Sequence, residues 1–129
     1  MKKIFLAAGL VLMLLLASCS KPATKMGTIS GRLSIGPLCP VETIPPDPNC
    51  QPTAETYKAY NLVVYSSGRE RVRRIIADED GSFVVDIPPG RYTIEPEQKT
   101  SLGKTLPIEF TIKAGETTDV NVDIDTGIR

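Results

Sequence analysis

Asp78-Glu79-Asp80-Gly81-Ser82-Phe83-Val84-Val85-Asp86-Ile87-Pro88-Pro89-Gly90-Arg91-Tyr92-Thr93-Ile94 holds the information that sets the architecture. Asp80-Gly81 is a turn signal, because both residues tolerate the backbone angles a tight reversal requires. Ser82 to Ile87 then alternates, with Phe83, Val85 and Ile87 on one face and Ser82, Val84 and Asp86 on the other. That two-residue period is the mark of a strand with one buried face. Pro88-Pro89-Gly90 forces the next reversal, and Tyr92 and Ile94 resume the alternation. Two strands bounded by turns, with no room for a helix, predict antiparallel β structure.

The same grammar extends in both directions. Upstream, Thr28 to Ile35 places Ile29, Leu33 and Ile35 on one face, with Gly31 in an inward slot that predicts a close approach or a bulge. Ala59–Ser66 and Glu70–Ala77 read as strands separated by Ser67-Gly68. Downstream, Leu106–Lys113 alternates through Ile108, Phe110 and Ile112. After the turn at Ala114-Gly115-Glu116, Thr117–Asp125 alternates through Val120, Val122 and Ile124. Seven short strands with turn signals between them predict a β-sandwich. Residues 36–56 interrupt the pattern. They hold six of the eleven prolines, which excludes a central strand and predicts a loop without helix.

The amino terminus has a different character. Lys2 and Lys3 precede an apolar run, Ile4 to Ala17, that is shorter than the roughly 20 residues of a spanning helix and fits a secretory signal. Leu16-Ala17-Ser18-Cys19 follows. It resembles the lipobox of bacterial lipoproteins, which implies cleavage before Cys19 and a diacylglyceryl group on its sulfur. The alternative is an ordinary signal peptide with an incidental cysteine. Ser20 after the lipidated cysteine implies, by the same resemblance, outer-membrane sorting if the source is diderm. The expected organisation is a signal peptide over 1–18, a lipidated tether over 19–26 and one domain over 27–129, with the Pro-rich insertion at 36–56. Of three cysteines, Cys39 and Cys50 then remain. In an oxidising envelope they are expected to pair and close the insertion. A metal site is the alternative, and the chain has no histidine to complete one.

Gly27-Thr28-Ile29-Ser30-Gly31-Arg32-Leu33, then Asp78–Phe83, then Ile87–Ile94 together resemble the carboxypeptidase-regulatory-like, or transthyretin-like (prealbumin-like), domains. Those domains carry a G-x-I/V-x-G strand, a D-x-D-G-x-F hairpin and an L-P-P-G-x-Y-x-I hairpin in this order. The resemblance covers most of residues 27–125 and implies an all-β, seven-stranded Greek-key sandwich. It says little about activity, since such folds host many. The insertion at 36–56 departs from short-loop members and is where a function peculiar to this chain is expected. Some transthyretin-like proteins hydrolyse 5-hydroxyisourate with histidines, which this chain lacks.

Composition narrows the chemistry further. The 15 basic and 15 acidic side chains cancel, which argues against nucleic acid as a partner. The absence of histidine excludes imidazole bases and the nucleophile systems built on them. No phosphate loop or nucleophile elbow is present. Asp78, Asp80 and Asp86 could serve as paired carboxylates or calcium ligands, but the Asp78–Gly81 segment lacks the donor series of a calcium loop, and a solvated turn is the expected reading. Asp119, Asn121, Asp123 and Asp125 share outward parity, as a solubilising face or a cation site. A related adhesin fold forms Lys–Asn isopeptide bonds, but the outward parity of Asn121 argues against a bond with Lys25.

Two groups remain as candidate contacts. Tyr57 and Tyr60, with Tyr65, would stack on a sugar or grip a peptide, or else cap the core. Arg69, Arg71 and Arg73 would meet phosphate or acidic glycan, or else guard a sheet edge. The expected protein is a non-catalytic, lipid-anchored envelope lipoprotein acting as an interaction or structural module, without cofactor or metal. Its partners would be the membrane, through the anchor, and an envelope protein or glycan. The alternative is a carbohydrate- or small-ligand-binding module using the insertion and its tyrosines.

Overall fold

The computed structural model describes residues 23–41, 43–99 and 105–128. The signal peptide and Cys19 expected from the sequence lie outside them. Among the described residues, eight strands form two sheets. In the first sheet, β1 (Gly27–Gly36) lies at the centre, antiparallel to β4 (Ser82–Ile87) on one side. On its other side it is parallel to β7 (Thr117–Asp119) and then β8 (Val122–Asp125). The second sheet is antiparallel in the order β3-β2-β5-β6, comprising Arg71–Ile75, Leu62–Ser66, Gly90–Pro96 and Ile108–Ile112.

The inward residues read from alternation meet between the sheets. Ile29, Leu33, Phe83, Ile87, Ile94, Ile112, Val122 and Ile124 are all buried in one cluster, with Val85, Ile108 and Phe110 packed at its margin. Their burial is the main force holding the layers together.

Two expectations are corrected. The single last strand, Thr117–Asp125, is two strands, so the count is eight. The register to β1 does not slip, since Ser30 faces Asp119 and Leu33 faces Val122. The ladder is broken by a side chain: the Arg32 N–H donates to Asn121 Oδ1 at 2.9 Å, where a main-chain carbonyl would continue the pairing. The Val120 carbonyl is directed at Gly31 instead, where a Cβ would lie only 1.9 Å from its oxygen. The insertion also contains helix. After a 3-10 turn at Pro48–Cys50, α1 runs from Ala54 to Ala59, so the second strand starts at Leu62 and not at Ala59. Thr53 caps α1: its hydroxyl accepts from the Thr56 N–H at 3.3 Å, and the Thr56 hydroxyl accepts from the Thr53 N–H at 3.0 Å. This reciprocal pair satisfies two orphan donors with threonine in the place where glutamate usually marks such a cap.

Candidate functional site

The Pro-rich insertion leaves the sandwich at Gly36, the opposite end of β1 from Gly27. Cys39 and Cys50 are disulfide-bonded, with Cα atoms 5.5 Å apart, as the sequence reading expected. The loop is docked as well as closed. Thr126 donates its N–H to the Gly36 carbonyl at 3.1 Å and its hydroxyl to the Pro37 carbonyl, and Leu38 packs on the core. Asp47 orders the next turn by accepting from the Asn49 N–H at 2.8 Å. These contacts enclose a cavity of about 290 Å³ lined chiefly by Ile35, Leu38, Val41, Pro46, Pro52 and the disulfide, with Thr43 and Asp47 as polar members. At the loop's tip, the Ile44 side chain is fully exposed (101%).

The tyrosines divide. Tyr57, offered as a contact residue, is only 8% exposed and belongs to the core cluster. It sits over the turn at Gly81, where a Cβ would come within 3.0 Å of its ring and hydroxyl. Tyr60 is half-buried against the same core. Both cap one end of the sandwich, and the Tyr57 ring is withdrawn from solvent. Tyr65 lies on the outer face of the second sheet under the Arg69 guanidinium, 4.5 Å from the ring centroid.

The arginines are more engaged than their sequence clustering suggested. Arg69 Nη2 lies 3.1 Å from Glu95 Oε1, and the pairing holds its pKa above the ordinary arginine value. Arg71 and Arg74 both pair with Glu97, Arg74 through Nε at 2.8 Å. The Arg71 hydrogen bond, with smaller help from Arg74, draws the Glu97 carboxyl below the usual carboxylate range. With its amide oriented to satisfy both neighbours, the buried Asn61 donates to the Lys58 carbonyl at 3.0 Å and accepts from Arg74. The network ties the end of α1 to β3 and to the end of β5, so it is a structural lock more than an anion site. Arg73 has no carboxylate partner among the described residues. Sequence reading missed Glu95 and Glu97, although their shared parity one strand away from an arginine run was the available signal.

Arg69 has a further peculiarity. It adopts φ +62°, a region that non-glycine residues enter at a cost. Its N–H donates to the Ser66 carbonyl at 2.9 Å, closing the β2–β3 turn. Beside it opens a groove of about 630 Å³ lined by Ser66, Arg69, Arg91, Thr93, Glu109 and Thr111 among others. Arg91 there is exposed and without a carboxylate partner among the described residues.

The acidic candidates stay apart. Among the described residues no group of three or more His, Cys, Asp or Glu side chains is placed to hold a metal ion. Asp80 accepts from the Ser82 hydroxyl at 2.6 Å and N–H at 3.0 Å, which pulls its pKa down and makes it a turn residue. Asn121 is occupied by Arg32, and Lys25 lies over Gly115. No helix among the described residues is long and apolar enough to cross a membrane.

No family model matches the chain, and no curated protein matches it in sequence. Solved structures do resemble it in fold. The minor pilin of Streptococcus agalactiae superposes with a TM-score of 0.54 at 12% identity, over 79% of this chain and 45% of the pilin. The Bacillus anthracis TIE protein gives 0.50 at 12% identity, over 78% of this chain and 16% of that one. A DUF3823 family protein from Parabacteroides merdae gives 0.48 at 17% identity, over 78% and 46%. The chain thus spans less than half the length of each of these structures. The likeness is one of β-sandwich fold.

Proposed function

We propose that this chain is a non-catalytic interaction module of the cell envelope, anchored by lipid on Cys19 and presenting its disulfide-closed loop away from the membrane. The observation that carries the reading is the placement of the loop. β1 is 10 residues long, with the tether entering at Gly27 and the insertion leaving at Gly36. At about 3.3 Å per residue, one strand holds the loop roughly 30 Å from the tether. A loop fixed at both ends, carrying its own cavity and an exposed Ile44, suits contact with another macromolecule better than turnover of a substrate. The absence of histidine and the engagement of most charged clusters in structural pairs support a role without catalysis. The pilin context of one similar fold is compatible with it. We assign the domain to the carboxypeptidase-regulatory-like, transthyretin-like sandwiches with Greek-key connections, on the three motifs quoted above.

The anchor is tested by fractionation. Cys19→Ser should move the protein from membranes to precursor or soluble forms. A processed, unlipidated Cys19→Ser protein that stays in the membrane fraction would sink the anchoring part of the proposal.

A second reading is favoured by the groove beside Arg69. A strained backbone, an arginine stacked on Tyr65, an exposed Arg91 without a carboxylate partner among the described residues and several hydroxyls would suit an acidic sugar. Glycan-array binding by the chain that disappears in Arg91→Ala would favour this reading. Binding that survives Arg91→Ala, or none at all, would leave the loop as the contact.

A further inference from the structure

Strand β4 is an edge: among the described residues it pairs with β1 alone. The phase of that ladder is set where the Leu33 N–H donates to the Gly81 carbonyl at 2.7 Å. Hydrogen-bonded pairs recur at every second residue of an antiparallel ladder. Phe83, Val85 and Ile87 therefore turn their main-chain groups to β1, while Ser82, Val84 and Asp86 turn theirs outward. At Ser82 both groups are already taken, the N–H by Asp80 Oδ1 at 3.0 Å and the carbonyl by the Asp78 N–H at 2.8 Å. At Val84 and Asp86 no described residue takes them. The Val84 side chain beside them is 70% exposed.

Exposed edges are normally blunted by lysine, proline, bulges or inward-pointing charge. The neighbouring edge, β3, follows that rule: it carries Arg71, Arg73 and Arg74, and its pairing with β2 is bulged at Val64/Tyr65. β4 contains no proline, no basic residue and no bulge, and its charge is Asp86, tied to the Thr28 hydroxyl at 2.6 Å. An unblunted window two residues wide, flanked by segments that satisfy themselves, fits a strand added from outside.

We propose that the β4 edge is an acceptor for an extended acidic segment of a partner protein, which adds as a strand through the four outward main-chain groups of Val84 and Asp86. The acidic character follows from Arg73. Its register partner is Val64, a core residue, so the Arg73 side chain leaves β3 on the face turned toward the first sheet. It remains exposed there, because β3 is an edge on the side where β4 lies. An added strand puts one row of side chains beside Val84 and the other at the mouth between the sheets, where Arg73 stands without a carboxylate. Alternating apolar and acidic residues match both rows. A second copy of this chain fits less well, since two-fold β4–β4 pairing brings two arginine-bearing β3 edges together. This surface is distinct from the loop and the Arg69 groove.

The test uses the full-length chain in nonionic detergent and two fluorescein-labelled ten-residue peptides, one alternating valine with glutamate and one alternating valine with lysine. Fluorescence anisotropy should show saturable binding of the glutamate peptide, at least tenfold tighter than the lysine peptide. Val84→Pro deletes an outward N–H without touching the β1 ladder and should weaken binding at least tenfold. Arg73→Glu, on an exposed position that does not depend on proline being accommodated, should reverse the preference between the peptides. No saturable binding of the glutamate peptide, equal affinity for both, or a preference unchanged by Arg73→Glu overturns the proposal. So does concentration-dependent dimerisation of the chain that Val84→Pro abolishes, since the edge would then serve self-pairing.

Discussion

Gly31 shows how one residue shapes a sheet. Its missing side chain is what lets the Val120 carbonyl close on β1, where a Cβ would sit 1.9 Å from that oxygen and 2.7 Å from its carbon. Backbone cannot retreat as a side-chain tip can, so Gly31→Ala should cost about 3 kcal/mol or prevent folding. Gly68→Ala, whose nearest neighbour would be Ser66 Oγ at 3.8 Å, should change stability by less than about 0.5 kcal/mol. Urea unfolding of the two variants checks the contrast, and equal midpoints would refute it. Arg69 gives a second case. Its positive φ strains the backbone, while its exposed ion pair with Glu95 and its stack on Tyr65 offset that strain. Arg69→Gly, which relieves the backbone and removes the contacts, should be close to neutral, whereas Arg69→Ala, which removes the contacts and keeps the strain, should melt at a lower temperature than Arg69→Gly. If alanine melts no lower than glycine, the backbone is not strained there. The close approach at Gly31 was readable from a glycine in an inward slot. The conformation of Arg69 was not, because the usual marker of positive φ is glycine and Gly68 stands one residue earlier.

At the level of elements, the alternating strands were legible because a two-residue period leaves few other solutions, and β4 begins and ends where its pattern does. The last strand was not legible as two, because its alternation runs unbroken through Val120 and Val122 while the interruption is made by the Asn121 side chain. Helix α1 was hidden by proline density upstream and by a cap built from two threonines. The disulfide was legible from the cysteine count together with the expected export. It closes a loop with a sequence separation of 11, for which chain entropy gives roughly 3 kcal/mol. Because Thr126 and Leu38 dock the loop to the sandwich, the bond should defend the domain as well as order the loop. The double variant Cys39→Ser/Cys50→Ser should therefore melt roughly 10 °C or more below the oxidised parent. An unchanged melting temperature would mean that the loop unfolds by itself and that its docking contacts add little.

On the scale of the whole molecule, the two ends of β1 have different surroundings. At Gly27 the chain enters β1, and the Met26 carbonyl accepts from the Gly115 N–H at 2.9 Å, beside the Lys113–Glu116 turn. At Gly36 the insertion, its cavity and α1 close the other end. Tyr57 and Tyr60 serve that closure, while Tyr65, Arg69 and Arg71 serve the outer face of the second sheet. Capping of the core by tyrosines was one of the two readings the sequence offered, but the pairing of the arginines with Glu95 and Glu97 was not, because a sequence shows residue types and not who stands opposite whom. The proposed function is directional: it expects contacts at the loop end of β1 and none at the Gly27 end. It is measured most directly by photocrosslinking in intact cells, with a benzophenone side chain introduced in place of Ile44 or of Ala114, both exposed. The account predicts a discrete adduct from position 44, lost when Cys39 and Cys50 are changed to serine, and none from position 114. No discrete adduct at position 44, or the same adduct from both positions, would contradict it.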